Sequence, residues 1–175
     1  MPRSLTRSGE AVSPPASYEE YVAARWPTLY RTAYLMTGNH ADAEDLVQTA
    51  LVKAYAAWSK VVAADSADAY VRKILTNTFL SGRRPLRVTR ERLVDRMPEV
   101  PMTVPGAEDR LSIWPHVSSL PPRQRAVVVL RYYEDLSEQQ IADALGCSPG
   151  TVKSNASLAL KSLKARMIAA EGESR

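Results

Sequence analysis

From residue 17 onward the chain alternates stretches of helical periodicity with interruptions by glycine and proline. Val22, Trp26, Leu29, Ala33 and Met36 recur at spacings of four and three, which aligns them on one helix face. Ser17 and Glu20 precede this face as an S-x-x-E capping box, and Gly38 in "TGN" closes the helix. Pro27 falls inside the pattern and predicts a kink or a restart. A second helix starts with Asn39 as N-cap and turns Ala43, Leu46, Val47, Ala50, Leu51, Ala54 and Trp58 inward. "VVAADS" (61–66) reads as a connection. A third helix covers 67–81, with Ala67, Tyr70, Val71, Ile74, Leu75, Thr78 and Phe79 on one side and Gly82 as its C-terminal cap.

The pattern then lapses. Pro85, Pro98, Pro101 and Pro105 punctuate residues 85–107, and "PEVPMTVPG" is the composition of a linker. Residues 1–16, with Pro2, Pro14 and Pro15, read as a loose tail. Helical periodicity resumes in "EDRLSIWPHVSSL" and "PPRQRAVVVLRYYED". "AVVVL" (126–130) is rich in β-branched residues, yet it lies in an Arg-flanked segment of helical length opened by Pro121 and Pro122, which predicts helix. No strand and no internal repeat emerges. The expectation is an all-α chain of two small helical bundles joined by a flexible Pro-rich linker: a tail at 1–16, bundles at 17–85 and 108–168, a linker at 86–107, and a second tail at 169–175.

The second bundle contains "LSEQQIADALGCSPGTVKSN" (136–155). Ser137 and Gln140 form another capping box, Ile141, Ala142 and Leu145 face inward, and Gly146 can take the positive φ a tight turn demands. Ser148 caps the next helix, Pro149 opens it, and Val152, Ala156, Ala159, Leu163 and Met167 continue the inner face. This is a helix-turn-helix pattern. Its outward residues are Thr151, Lys153, Ser154, Asn155, Leu158 and Lys161, and such a helix start offers N–H groups to phosphate and short side chains to base edges. The same geometry also occurs in helical hairpins that bind no DNA.

Charge sharpens the picture. Residues 17–69 carry four Lys/Arg against seven Asp/Glu, residues 70–97 eight against two, and residues 108–175 nine against eight. An acidic block beside a basic one suggests two partners of opposite sign. Arg72, Lys73, Thr76 and Asn77 lie opposite the apolar stripe of the third helix, followed by Arg83, Arg84, Arg87 and Arg90. These cations suit phosphates. Asp42, Glu44 and Asp45 would repel DNA; beside Gln48 they suit a basic protein surface, and they equally suit the dipole of a solvated helix start.

Several classes fall away. The longest apolar run has five residues, "AVVVL", far short of the roughly 20 a membrane span needs. The N-terminus has no apolar stretch of a signal peptide. Cys147 is the sole cysteine, which excludes an intrachain disulfide, fits a cytoplasmic setting and, with only His40 and His116 as further soft ligands, predicts no metal site. No Gly-rich phosphate loop or nucleophile elbow is present, so neither a cofactor nor catalysis is expected.

The order of these pieces adds a resemblance. "YRTAYLMTGNHADAEDLVQTALVKAYAAW", then "AYVRKILTNTFLSGRR", a Pro-rich linker and "LPPRQRAVVVLRYYEDLSEQQIADALGCSPGTVKS" closely resemble a bacterial RNA polymerase sigma factor of the sigma-70 family, extracytoplasmic-function (ECF) group, similar to the actinobacterial SigE-like subfamily. The likeness spans about residues 18–85 and 108–167. It implies a transcription initiation subunit with no enzymatic activity. It makes 17–85 sigma region 2 and 108–168 sigma region 4.

The resemblance also distributes roles. Asp42, Glu44, Asp45, Leu46, Gln48 and Leu51 would dock on the β′ clamp helices of core polymerase, with the β flap as a further contact. Arg72, Lys73, Thr76, Asn77, Arg83 and Arg84 would open and read the −10 element by capturing extruded bases. Ser148, Thr151, Lys153, Ser154, Asn155, Leu158 and Lys161 would enter the major groove at the −35 element. An anti-sigma protein, commonly membrane-anchored in this family, is the implied control. Two departures stand out. Asn155, Leu158 and Leu160 occupy positions where the family carries arginines, which predicts a weaker phosphate grip or changed base preference. "TNTF" replaces the common "A-x-N". A dimeric repressor with 17–97 as sensor domain, or a sigma-like relative that has lost activity, remain the alternatives at this point.

Overall fold

The computed structural model describes residues 17–82 and 114–173, and everything described there is helix or short connection. Helix α1 (Tyr18–Thr37) starts where Ser17 Oγ accepts from the Glu20 N–H at 3.1 Å, and ends at Gly38, whose φ of 85° is open to glycine at no steric cost. It runs unbroken through Pro27. Helix α2 (His40–Ala56) is capped by Asn39, which accepts from the Asp42 N–H while its amide donates to the Asp42 carboxylate.

At 61–66 the structure differs from the expected plain connection. Trp58–Ala63 form a short helix, α3, which Ala57 breaks away from α2. The cause is aromatic packing: Trp58 meets Tyr18 edge to face, with ring centroids 5.4 Å apart, and lies against Tyr21 at 5.6 Å. Helix α4 covers Ala67–Ser81, the predicted span, with Ser66 as its side-chain cap. These four helices enclose one core of Tyr21, Val22, Trp26, Ala33, Val47, Ala50, Val61, Val71 and Leu75.

The second group consists of α5 (Trp114–Val117), α6 (Pro122–Val128), α7 (Glu138–Leu145) and α8 (Pro149–Glu173). "AVVVL" is helical as predicted, but α6 continues as a wider π-helical turn over Val129–Tyr133, closed by the Glu134 N–H on the Val129 carbonyl at 3.1 Å. Both arms of the Ser137–Gln140 capping box are present. Gly146 has φ 64°, and Ile141, Ala142, Leu145 and Val152 are buried around it. Met167, expected to face inward, is 43% exposed, because α8 leaves the body from Lys164 onward.

The bundles are not separate. Leu35 and Met36 at the end of α1 join the core of the second group, and Phe79 and Leu80 of α4 pack against it. No described helix is long and apolar enough to cross a membrane.

Candidate nucleic-acid and polymerase interfaces

Three clusters of sequence-predicted residues meet different fates. The first is the start of α2. Asp42 and Glu44 are exposed, while Asp45 and Gln48 are half-buried. Glu44 accepts a hydrogen bond from Gln48 at 3.2 Å. Leu46 and Leu51 are 7% and 3% exposed and belong to the core, so the structure removes both from the expected docking face. Their apolar character serves helix packing against α1. What remains is an acidic patch at a helix N-terminus. Beside it His40 is held between Tyr30 and Tyr34, with the Tyr30 hydroxyl 2.6 Å from His40 Nδ1. Burial, followed by the charge of Glu44, raises the Tyr30 pKa.

The second cluster is α4. Lys73 and Asn77 are exposed as expected. Arg72 is not free: its Nε donates to Glu134 Oε2 at 2.8 Å, and its side chain retains 22% exposure. Thr76 is fully buried, and its hydroxyl has no hydrogen-bond partner among the described residues. The reason is positional. Arg72, Thr76 and Leu80 recur every four residues on the stripe of α4 that meets the C-terminal bundle. The expectation of an open surface therefore fails at Arg72 and Thr76 in this conformation. Arg83 and Arg84 lie outside the described residues.

The third cluster, on α8, stands open. Ser148 Oγ accepts from the Thr151 N–H at 3.1 Å and bonds the Thr151 hydroxyl at 3.0 Å. Ser154 donates to the Gly150 carbonyl and Asn155 to the Thr151 carbonyl, so both are turned back on their own helix. Asn155 is half-buried there. Lys153, Leu158 and Lys161 project outward, Leu158 with 53% of its surface exposed. Lys153 lies 3.6 Å from Glu138 of α7, a weak pair on a side chain 67% exposed. The face thus offers two cations, an apolar side chain and a helix N-terminus, the combination a duplex groove can accept.

Sequence reasoning missed Glu134, Thr32 and Arg125, which join the bundles. Thr32 Oγ1 donates to Glu134 Oε1 at 2.5 Å, and Arg125 donates through Nη1 to the Met36 carbonyl at 2.7 Å. Burial lowers the Arg125 pKa from its ordinary value. The partners of each pair are 102 and 89 residues apart, and no local pattern reports such a meeting.

Comparison with known proteins agrees with this division. The family model for sigma-70 region 2 matches residues 22–88 and that for sigma-70 region 4 matches residues 117–163. The RNA polymerase sigma-E factor of Streptomyces coelicolor is 38% identical over 160 residues, covering 90% of both chains. The ECF RNA polymerase sigma factor SigL of Mycobacterium tuberculosis is 34% identical over 164 residues, again covering 90% of each. Among solved structures, the sigma factor RpoE in complex with the anti-sigma factor NepR from Bartonella quintana superposes with a TM-score of 0.63 at 26% identity, covering 85% of this chain and 94% of that one. The chain belongs to the sigma-70 family of RNA polymerase sigma factors, in its extracytoplasmic-function group.

Proposed function

We propose that this chain, a promoter-directing sigma factor, divides its work among three surfaces. The acidic start of α2, with Asp42, Glu44, Asp45 and Gln48, docks on a basic surface of core RNA polymerase, the β′ clamp helices, and region 4 meets the β flap. Lys73 and Asn77, joined by Arg72 and Thr76 once uncovered, bind the separated strand of the −10 element. The outer face of α8, through Lys153, Leu158 and Lys161 and its N-terminal N–H groups, enters the major groove at the −35 element. No catalysis and no cofactor are part of this reading. The chain acts in the cytoplasm, where core polymerase and promoter DNA are. An anti-sigma protein, membrane-anchored or soluble, is its proposed regulator.

The observation that carries the reading is the pairing of an intact helix-turn-helix, turned by Gly146 at φ 64°, with an acidic helix start and an α4 that exposes Lys73 and Asn77 on the other bundle. A sensor domain has no use for its own nucleic-acid surface. The test is transcription in vitro with purified core polymerase and a pool of genomic fragments. Discrete transcripts that require the chain support the assignment, and their start sites define both elements. Duplex binding without any transcript favours a repressor.

A further inference from the structure

The stripe of α4 that carries Arg72 and Thr76 is covered by this chain's own C-terminal bundle. The cover is fastened at one carboxylate. Glu134 directly follows the π-helical turn of Val129–Tyr133 and closes it through its N–H on the Val129 carbonyl. Both of its oxygens are engaged there, Oε1 by the Thr32 hydroxyl at 2.5 Å and Oε2 by Arg72 Nε at 2.8 Å, and the side chain is only 10% exposed. A second clasp is Arg125, which bonds the Met36 and Leu120 carbonyls and lies over the Phe79 ring at 5.9 Å.

A guanidinium and a hydroxyl converging on an anion form the donor set that grips a backbone phosphate. Glu134 occupies that position with a carboxylate. We propose that Glu134 is an internal phosphate mimic that holds the chain closed, so that region 4 masks the strand-binding face of α4 until nucleic-acid phosphate displaces it from Arg72 and Thr32. The inference rests on the strand-binding role of α4 proposed above. It is asymmetric: Arg72 and Thr76 are covered, whereas Lys153, Leu158 and Lys161 on α8 stay open. The closed chain therefore binds duplex as well as the open one and binds single strands poorly. A chain closed in about nine molecules of ten loses about tenfold in apparent strand affinity.

The full-length chain serves for the test, with Cys147→Ser and dyes on cysteines placed at the exposed Lys60 and Lys164, to read the distance between bundles by energy transfer. Anisotropy of two labelled probes, a mixed-sequence single-stranded DNA and its duplex, is read in parallel. Glu134→Gln is expected to lengthen the distance and tighten strand binding about tenfold with duplex affinity unchanged. Because that substitution also removes a negative charge, Thr32→Val provides a charge-free version, with a smaller shift in the same direction. Circular dichroism confirms that each variant is folded. An unchanged distance overturns the latch. A longer distance with no gain in strand affinity overturns the mask, and leaves promoter-directed transcription, which is scored separately, untouched.

Discussion

Arg125 of the C-terminal bundle donates to the backbone carbonyl of Met36 at 2.7 Å, where the last turn of α1 has run out of helical partners. One side chain thus satisfies an orphan carbonyl of region 2 from within region 4, and also holds the Leu120 carbonyl at 2.9 Å. Burial lowers the Arg125 pKa, so the site tolerates the cation only because these acceptors surround it. Replacing Arg125 with alanine removes both bonds and leaves two carbonyls short of a donor. The expected loss is about 2–4 kcal/mol in urea unfolding of the full chain. Arg125→Lys, with one compact donor group, is expected to recover part of it. Equal stability of the wild type and the alanine variant would show the clasp to be idle.

Gly146 makes a separate prediction about the helix-turn-helix. Its φ is 64°, and a Cβ built there meets nothing within 4 Å. Crowding is therefore not the reason for glycine at this position; backbone strain is. Gly146→Ala should cost about 1–2 kcal/mol, the left-handed penalty for an L-residue. Duplex binding at saturating protein should be retained, because the turn is strained without being refolded. At Gly38, with φ 85°, an added Cβ would also lie 3.4 Å from Ser118 Cβ across the bundle contact, so Gly38→Ala should cost more than Gly146→Ala.

Glu44 tests the docking face with the least structural side effect. It is exposed, and its hydrogen bond runs to Gln48 on its own helix. Glu44→Lys is expected to weaken co-purification with core polymerase at least about tenfold, mainly through slower association, while the melting temperature changes little. Undiminished capture by core polymerase would move the docking surface elsewhere. Leu46 and Leu51 are unsuitable for this purpose because they are buried, and their replacement would damage the core first.

Much of this arrangement was legible in the chain. The limits of α4, the caps at Ser17, Asn39 and Ser137, and the glycine turn at 146 follow from side chains within four residues of the groups they satisfy. Periodicity, however, reports only that a face is covered, never by what. Leu35, Met36 and Leu80 have apolar surfaces whether they pack within region 2 or against region 4, and they do the latter, while Phe79 touches both cores. Thr76 shows the same limit: a polar residue opposite the apolar stripe reads as solvated, yet its side chain is fully buried. Glu134 and Arg125 carry no local signal, since their partners lie in the other half of the chain. The outward residues of α8 were half legible. Lys153, Leu158 and Lys161 project as read, whereas Asn155 turns back to the Thr151 carbonyl.

Lys153 is the cation best placed for a phosphate, and Glu138 at 3.6 Å is a weak competitor for it. Lys153→Ala should lower duplex affinity across all sequences and reduce the slope of log K against log salt by about 0.9, the share of one phosphate contact. The measurement is a salt titration of duplex affinity for both proteins. Parallel lines would exclude Lys153 from the phosphate contacts, whatever the affinity at a single salt concentration.

Alkaline pH should act on region 2 through its tyrosines. Tyr18 and Tyr21 both have pKa values raised above the ordinary 10.0, in each case first by burial. For Tyr18 the neighbouring Tyr55 and Glu19 add to the effect; for Tyr21 it is the charge and hydrogen bond of Asp68. A raised pKa means that the folded chain keeps protons the unfolded chain has released. The unfolded tyrosines ionise near pH 10, so the contribution is whole below that pH and falls away as pH climbs from there toward the higher folded values. Urea unfolding should therefore show no dependence on tyrosine ionisation at neutral pH and a stability that declines above about pH 10. Tyr21→Phe isolates the share of Tyr21. It keeps the ring and its packing while removing the ionisable hydroxyl, so it should decline less steeply in alkali because one proton difference is gone. An alkaline slope identical in the two proteins would mean that Tyr21 ionises equally readily folded and unfolded, contrary to its burial beneath Trp58.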